Sequence, residues 1–188
     1  KDKDLPAVQN MLKSIGHEQL NPFVCMIEDI QKTIDFIVEK KITRPGEIGV
    51  VGLAWGAANA LYAMRKERRI RCGVVLLPVC KITNLVEFRS LEGQPAVDEY
   101  EPLNCVEKIA PKPLLFVTGE KDNRANPLFA SQLFEKLRPE YEAAGVADKL
   151  AYTMLAGVAH AYDSQMSDLA KEWFGKYLVG GEGGPSLG

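Results

Sequence analysis

Histidine is almost absent from this chain, with only His17 and His160 among 188 residues. No apolar run reaches the roughly 18 residues that a membrane span needs, and no signal peptide is visible. A large excess of charge is also lacking. The formal net charge is −2, which gives no reason to expect nucleic acid or an anionic membrane as a partner. The four cysteines, Cys25, Cys72, Cys80 and Cys105, form no C-x-x-C pair. They read as small buried thiols in a reducing compartment, so a cytoplasmic location is expected. No cluster has metal-ligand spacing and no glycine-rich phosphate loop is present, so no cofactor or metal is expected. There is no internal repeat and no dividing linker.

What is present is ordinary for a globular domain: 46% hydrophobic and 26% charged residues. The length suffices for one domain with a full core. A single domain is expected over residues 1–180, with a flexible glycine-rich tail over 181–188. The chain starts at Lys1 without a methionine, which leaves open a leader cut away.

Residues 1–21 are weakly periodic and read as loop or short helix, with His17 at the surface. Phe23, Met26, Ile27, Ile30, Ile34, Ile37 and Val38 then recur at helical spacing, predicting a helix over 23–40. "EIGVVG" (47–52), "RCGVVLLPV" (71–79), "KPLLFVTGEKD" (112–122) and "DKLAYTMLAG" (148–157) read as strands, the third running into a turn. Helices are predicted between them, over about 54–67 and 126–145, and a last one after residue 160. The strands are continuously apolar rather than alternating. That pattern predicts an α/β fold, a parallel sheet flanked by helices on each side. Residues 80–105 have no clear period and read as an excursion, a lid or substrate loop. Within it Asp98, Glu99 and Glu101 read as solvated, and "RKERR" (65–69) reads as a charged helix end.

The stretch "EIGVVGLAWGAANAL" (47–61) carries the chemical question. Its Gly52-Leu53-Ala54-Trp55-Gly56 is the frame of a nucleophile elbow, G-x-S-x-G, with alanine in the nucleophile's place. Side chains at 52 and 56 are both expected to crowd the strand-to-helix turn. In an open parallel sheet the reactive loops gather beyond the carboxyl ends of the strands. Those loops contain Ala54, Asp122 and His160, in the order elbow, acid, histidine. A histidine takes the nucleophile's proton and returns it to the leaving group, and a carboxylate fixes its tautomer. Glu120 is the alternative acid.

The pieces "RPGEIGVVGLAWGAANAL", "IAPKPLLFVTGEKD", "LFEKLRPEYEAAGV" and "LAGVAHAY" resemble the C-terminal part of an α/β-hydrolase. The chain is most similar to the dienelactone-hydrolase-like branch, which overlaps in pattern with esterase and prolyl-oligopeptidase relatives. The resemblance runs over about 23–178. It implies Asp122 as acid, His160 as base, Ala54 at the nucleophile position and the Trp55 N–H as an oxyanion-hole donor. It also implies a small carboxylic ester or lactone as substrate, with homo-oligomerisation left open and a peptidase as a lesser option.

Two departures from the family stand out. A methyl group at 54 cannot attack a carbonyl, and loss of a triad nucleophile costs roughly 10⁶ in turnover. Only the last four strands of the family's sheet are recognisable, so the fold is expected to lack its N-terminal strands here and to leave the 47–52 strand unpaired on one side. Two readings follow: a hydrolase whose Ser or Cys nucleophile is replaced, or a natural pseudo-hydrolase that binds a ligand or protein partner through the same pocket.

Overall fold

The computed structural model describes residues 14, 22–44, 46–104 and 107–179. His17, Cys105 and the glycine-rich tail lie outside the described residues.

Four strands form one parallel sheet in the order β1-β2-β3-β4: β1 (Ile48–Leu53), β2 (Ile70–Leu76), β3 (Leu114–Gly119) and β4 (Leu150–Leu155). The helices are α1 (Pro22–Glu39), α2 (Trp55–Lys66), the short α3 (Pro95–Asp98), α4 (Pro127–Ala143) and α5 (Ser164–Phe174), the last continued by a π-helical turn. Strands and helices thus alternate as predicted. Asn126 and Asp163 start α4 and α5 by accepting the N–H of Leu128 and Gln165 on their side chains, which satisfies donors that the first helical turn leaves open.

Successive residues of the central strands point to opposite faces, and both faces are covered. Val75, Leu114 and Phe116 join Ile34 of α1, Ala60 and Met64 of α2, and Leu133 and Leu137 of α4. Val74, Leu76, Leu115 and Val117 pack with Met166 and Leu169 of α5. Double-sided burial explains why β2 and β3 read as apolar runs, interrupted only by Arg71 near the start of β2 and Thr118 near the end of β3.

The outer strands differ from that reading. Val51 and Leu53 of β1 are 53% and 41% exposed, and Met154 of β4 is also exposed. Among the described residues β1 pairs with β2 alone, so one of its edges has no strand beside it, as expected.

Cys72 and Cys80 are buried thiols, and burial raises both; the Cys72 thiol is pushed up to about 11. Cys25, on α1, is only half-buried, which corrects the reading of all four cysteines as buried thiols.

The charged end of α2 is more built than its composition suggests. Glu67 is buried and takes both the backbone N–H and the guanidinium of Arg69, whose Nη1 reaches Asp35 of α1 at 2.7 Å. Lys112 caps the helix from the turn before β3, its Nζ donating to the carbonyls of Met64 (2.5 Å) and Glu67 (2.8 Å). These carbonyls have no partner within the helix. Burial lowers the Lys112 ammonium to about 8. Its folded value is below the unfolded one, so between about pH 8 and 10.5 the unfolded chain holds a proton that the folded chain has released. Stability attributable to Lys112 therefore rises with pH across that window, by an amount on the order of 1–3 kcal/mol. Urea unfolding at pH 8 and pH 10 should show the parent gaining on Lys112→Met by that order. Parallel pH dependence of the two proteins would refute it.

Candidate active site

Three loops leave the carboxyl ends of β1, β3 and β4. The first turns within one residue. β1 ends at Leu53 and α2 starts at Trp55, leaving Ala54 alone at the junction with φ 54° and ψ −113°. An L-residue avoids this left-handed region, and holding one there costs about 1–3 kcal/mol. The turn is fastened on both sides: the Ala54 N–H donates to Leu76 O (2.9 Å), and its carbonyl accepts from Ala57 N (3.1 Å) and Val79 N (3.3 Å).

Gly52 is required by the return of the helix. A Cβ there would lie 2.1 Å from the Gly56 carbonyl oxygen and 2.7 Å from Ala57 Cα. Gly56 itself is a correction to the sequence reading, since a Cβ at 56 would meet nothing within 4 Å. The crowding is one-sided: the helix backbone presses on position 52, while position 56 points its hydrogen into open space.

The second loop carries Asp122. Its carboxylate is buried and fully used. Oδ1 accepts the backbone N–H groups of Arg124 (2.9 Å) and Ala125 (2.8 Å), and Oδ2 meets His160 Nδ1 at 2.8 Å. The His160 side chain is 24% exposed and that of Asp122 is sealed. The arrangement suits a carboxylate that orients an imidazole while the ring's other edge stays reachable. The acid and histidine loops are joined along their backbones. Lys121 N donates to Val158 O (2.8 Å), Glu120 N donates to Leu155 O (3.0 Å), and a Cβ on Gly119 would lie 2.5 Å from Val158 O. Glu120, the alternative acid, is engaged elsewhere: its Oε2 accepts the Gly157 N–H at 2.7 Å.

Residues 79–104 form a docked cap with its own small core of Val79, Ile82, Leu85, Phe88, Leu91 and Val97. Trp55 stacks on Phe88, with ring centroids 5.2 Å apart and planes 22° from parallel. Glu101 corrects the reading of this segment as solvated. It is buried, and its carboxylate accepts from Ile82 N and from the N–H (3.4 Å) and hydroxyl (3.1 Å) of Thr83. Burial raises its carboxyl above the usual range against the pull of those bonds. Asp98 and Glu99 remain outside this network. Sequence reasoning missed Glu101 because its partners lie nearly twenty residues upstream, and nothing in "DEYEP" marks one acid among several.

The sequence pattern of the prolyl oligopeptidase family matches residues 24–178. The chain belongs to the prolyl oligopeptidase family. No curated protein sequence matches it at comparable significance. Among solved structures, it is similar to TT1662 from Thermus thermophilus, with 20% identity and a TM-score of 0.62 over 75% of this chain and 58% of that one. A puromycin-hydrolyzing peptidase of Mycobacterium tuberculosis is 19% identical, TM-score 0.64, over 81% of this chain and 25% of that one. The Pyrococcus furiosus esterase Pf2001 is 17% identical, TM-score 0.62, over 81% of this chain and 61% of that one. At such identities the likeness shows the fold, that of the α/β-hydrolases. The chain spans less than two thirds of each of these relatives. Peptidase and esterase stand side by side among them, the overlap of patterns noted in the sequence. Among the described residues no helix is long and apolar enough to cross a membrane.

Proposed function

We propose that this prolyl oligopeptidase family chain carries the acid–base half of a hydrolase for carboxylic esters or lactones, with the nucleophile position occupied by Ala54. The observation that carries the reading is the Asp122–His160 pair, 2.8 Å apart at the carboxyl edge of the sheet, with the acid sealed and the imidazole reachable.

In this reading a hydroxyl or thiol at position 54 gives its proton to the free ring nitrogen of His160 and attacks the substrate carbonyl carbon. The tetrahedral oxyanion takes the backbone N–H of Trp55, the first residue of α2, where the helix dipole favours negative charge. His160 returns the proton to the departing alkoxide. Water, deprotonated by the same imidazole, then releases the acyl group. Asp122 orients the ring and stabilises the imidazolium. With alanine at 54 the first step has no attacking atom, so the chain as it stands is inactive. The strained backbone at Ala54 supports the assignment, because alanine has no use for a conformation that exposes a reactive atom.

The second reading is a pseudo-hydrolase that binds a small molecule or protein through the same pocket, and Ala54 itself favours it. Hydrolysis of p-nitrophenyl acetate by Ala54→Ser separates the two. Parallel assay of a matched aminoacyl-arylamide decides between ester and peptide bonds.

A further inference from the structure

The loop bearing Asp122 is held from outside the dyad as well. Arg124 gives its backbone N–H to Asp122, and its guanidinium crosses to the 80–105 segment, where Nη2 meets Glu87 Oε1 at 2.7 Å. Ala125, whose N–H also serves Asp122, is buried in the cap's core against Leu85 and Phe88. Phe88, the neighbour of Glu87, stacks on Trp55 beside the elbow. One short stretch of the cap therefore grips both the elbow and the acid loop.

The pair is not explained by stability. Its side chains are 48% and 29% exposed, and ion pairs so placed contribute about 0–1 kcal/mol. Among the described residues Glu87 Oε2 is buried without a hydrogen bond to another residue, so the pair adds little to stability. The Arg124 guanidinium keeps the Glu87 carboxyl below the usual range, so the pair is charged on both sides at neutral pH.

We propose that Glu87 and Arg124 are positioning residues, whose ion pair locks the acid loop to the docked cap and so aligns the Asp122 carboxylate on His160. The pair is then coupled to the cap: displacing the cap at Glu87 loosens Arg124, and with it the backbone N–H groups that aim Asp122. This rests on the proposed function only for what the dyad does, and its test does not depend on turnover alone.

The test uses the full chain. Two histidines make the ring signals of His160 assignable by comparison with His17→Gln. In the parent, the His160 Nδ1 proton bonded to Asp122 should give a downfield resonance protected from exchange with water. Glu87→Gln and Arg124→Met should each broaden or abolish it while circular dichroism stays unchanged. Arg124→Lys, which keeps the charge, should preserve it in part. The exchanged pair, Glu87→Arg with Arg124→Glu, should restore it. In the Ala54→Ser background the single variants should lower kcat roughly 10- to 100-fold, the scale of a misplacement of about 1 Å, with KM within about threefold. Folded single variants with an unchanged resonance and unchanged kcat would overturn the proposal. So would a change in KM alone, which would make the pair a substrate contact. Absence of the resonance in the parent would overturn it too. If Ala54→Ser shows no turnover at all, the hydrolase reading fails while the resonance still decides the role of the pair.

Discussion

On the proposed function, Ala54→Ser is expected to gain an esterase activity that the parent chain lacks. The backbone at 54 already has the left-handed geometry of an elbow, and serine adds one oxygen to a position that is half-buried rather than sealed. Because losing the nucleophile of a triad costs roughly 10⁶ in kcat, restoring it should raise turnover of short activated esters by several orders of magnitude, up to that limit. Ala54→Cys should act in parallel, since a thiolate is itself a competent nucleophile. Within the serine variant, His160→Ala should remove nearly all the gain. Asp122→Asn should remove about 10⁴-fold, because the amide presents the wrong hydrogen-bonding partner to Nδ1 and leaves the imidazole in the wrong tautomer. Initial rates with p-nitrophenyl acetate, taken at one fixed pH for all variants, make the comparison. Activity insensitive to His160 would show that the new serine acts on its own.

The second large effect is on stability and separates the two glycines of the elbow frame. Gly52→Ala would drive a Cβ to 2.1 Å from the Gly56 carbonyl oxygen, a backbone atom that cannot swing away. Such overpacking sits at the costly end of its range, about 3 kcal/mol or more, which lowers Tm by roughly 6–12 °C in a domain of this size. Gly56→Ala meets nothing within 4 Å and lies in the first turn of α2. Alanine is the better helix former there, so the change is neutral or stabilising by up to about 1 kcal/mol. Thermal denaturation of the two variants, followed at the same wavelength and pH, reads the contrast. Equal losses would mean that the turn is tight on both sides, as the motif alone suggests.

That contrast shows where the sequence is legible and where it is not. The central strands were readable because burial on both faces leaves them almost wholly apolar; only Arg71 in β2 and Thr118 in β3 interrupt the pattern. The same rule misjudged β1, where Val51 and Leu53 are as apolar as their neighbours but lie exposed at an edge. Apolar content reports what a strand can bury, not what covers it. The contact between Asp122 and His160 was legible because loop order in a parallel sheet is spatial order: residues 38 apart in the chain meet at one edge. Choosing Asp122 over Glu120 needed the motif. The structure adds the cause, since Glu120 points back to Gly157. The excursion was opaque because its order comes from non-periodic contacts. Glu101 beneath Ile82 and Thr83, and Glu87 across from Arg124, are pairings over long separations that no local pattern encodes.

The central claim, that position 54 is a nucleophile's seat served by His160, is tested most directly by mass spectrometry of Ala54→Ser after exposure to a fluorophosphonate. This reagent modifies an activated serine and spares ordinary hydroxyls. One adduct, mapped to residue 54, absent from the parent chain and suppressed when His160→Ala is added, is the predicted result. An unmodified residue 54 in the folded variant, or equal labelling with and without His160, would contradict it.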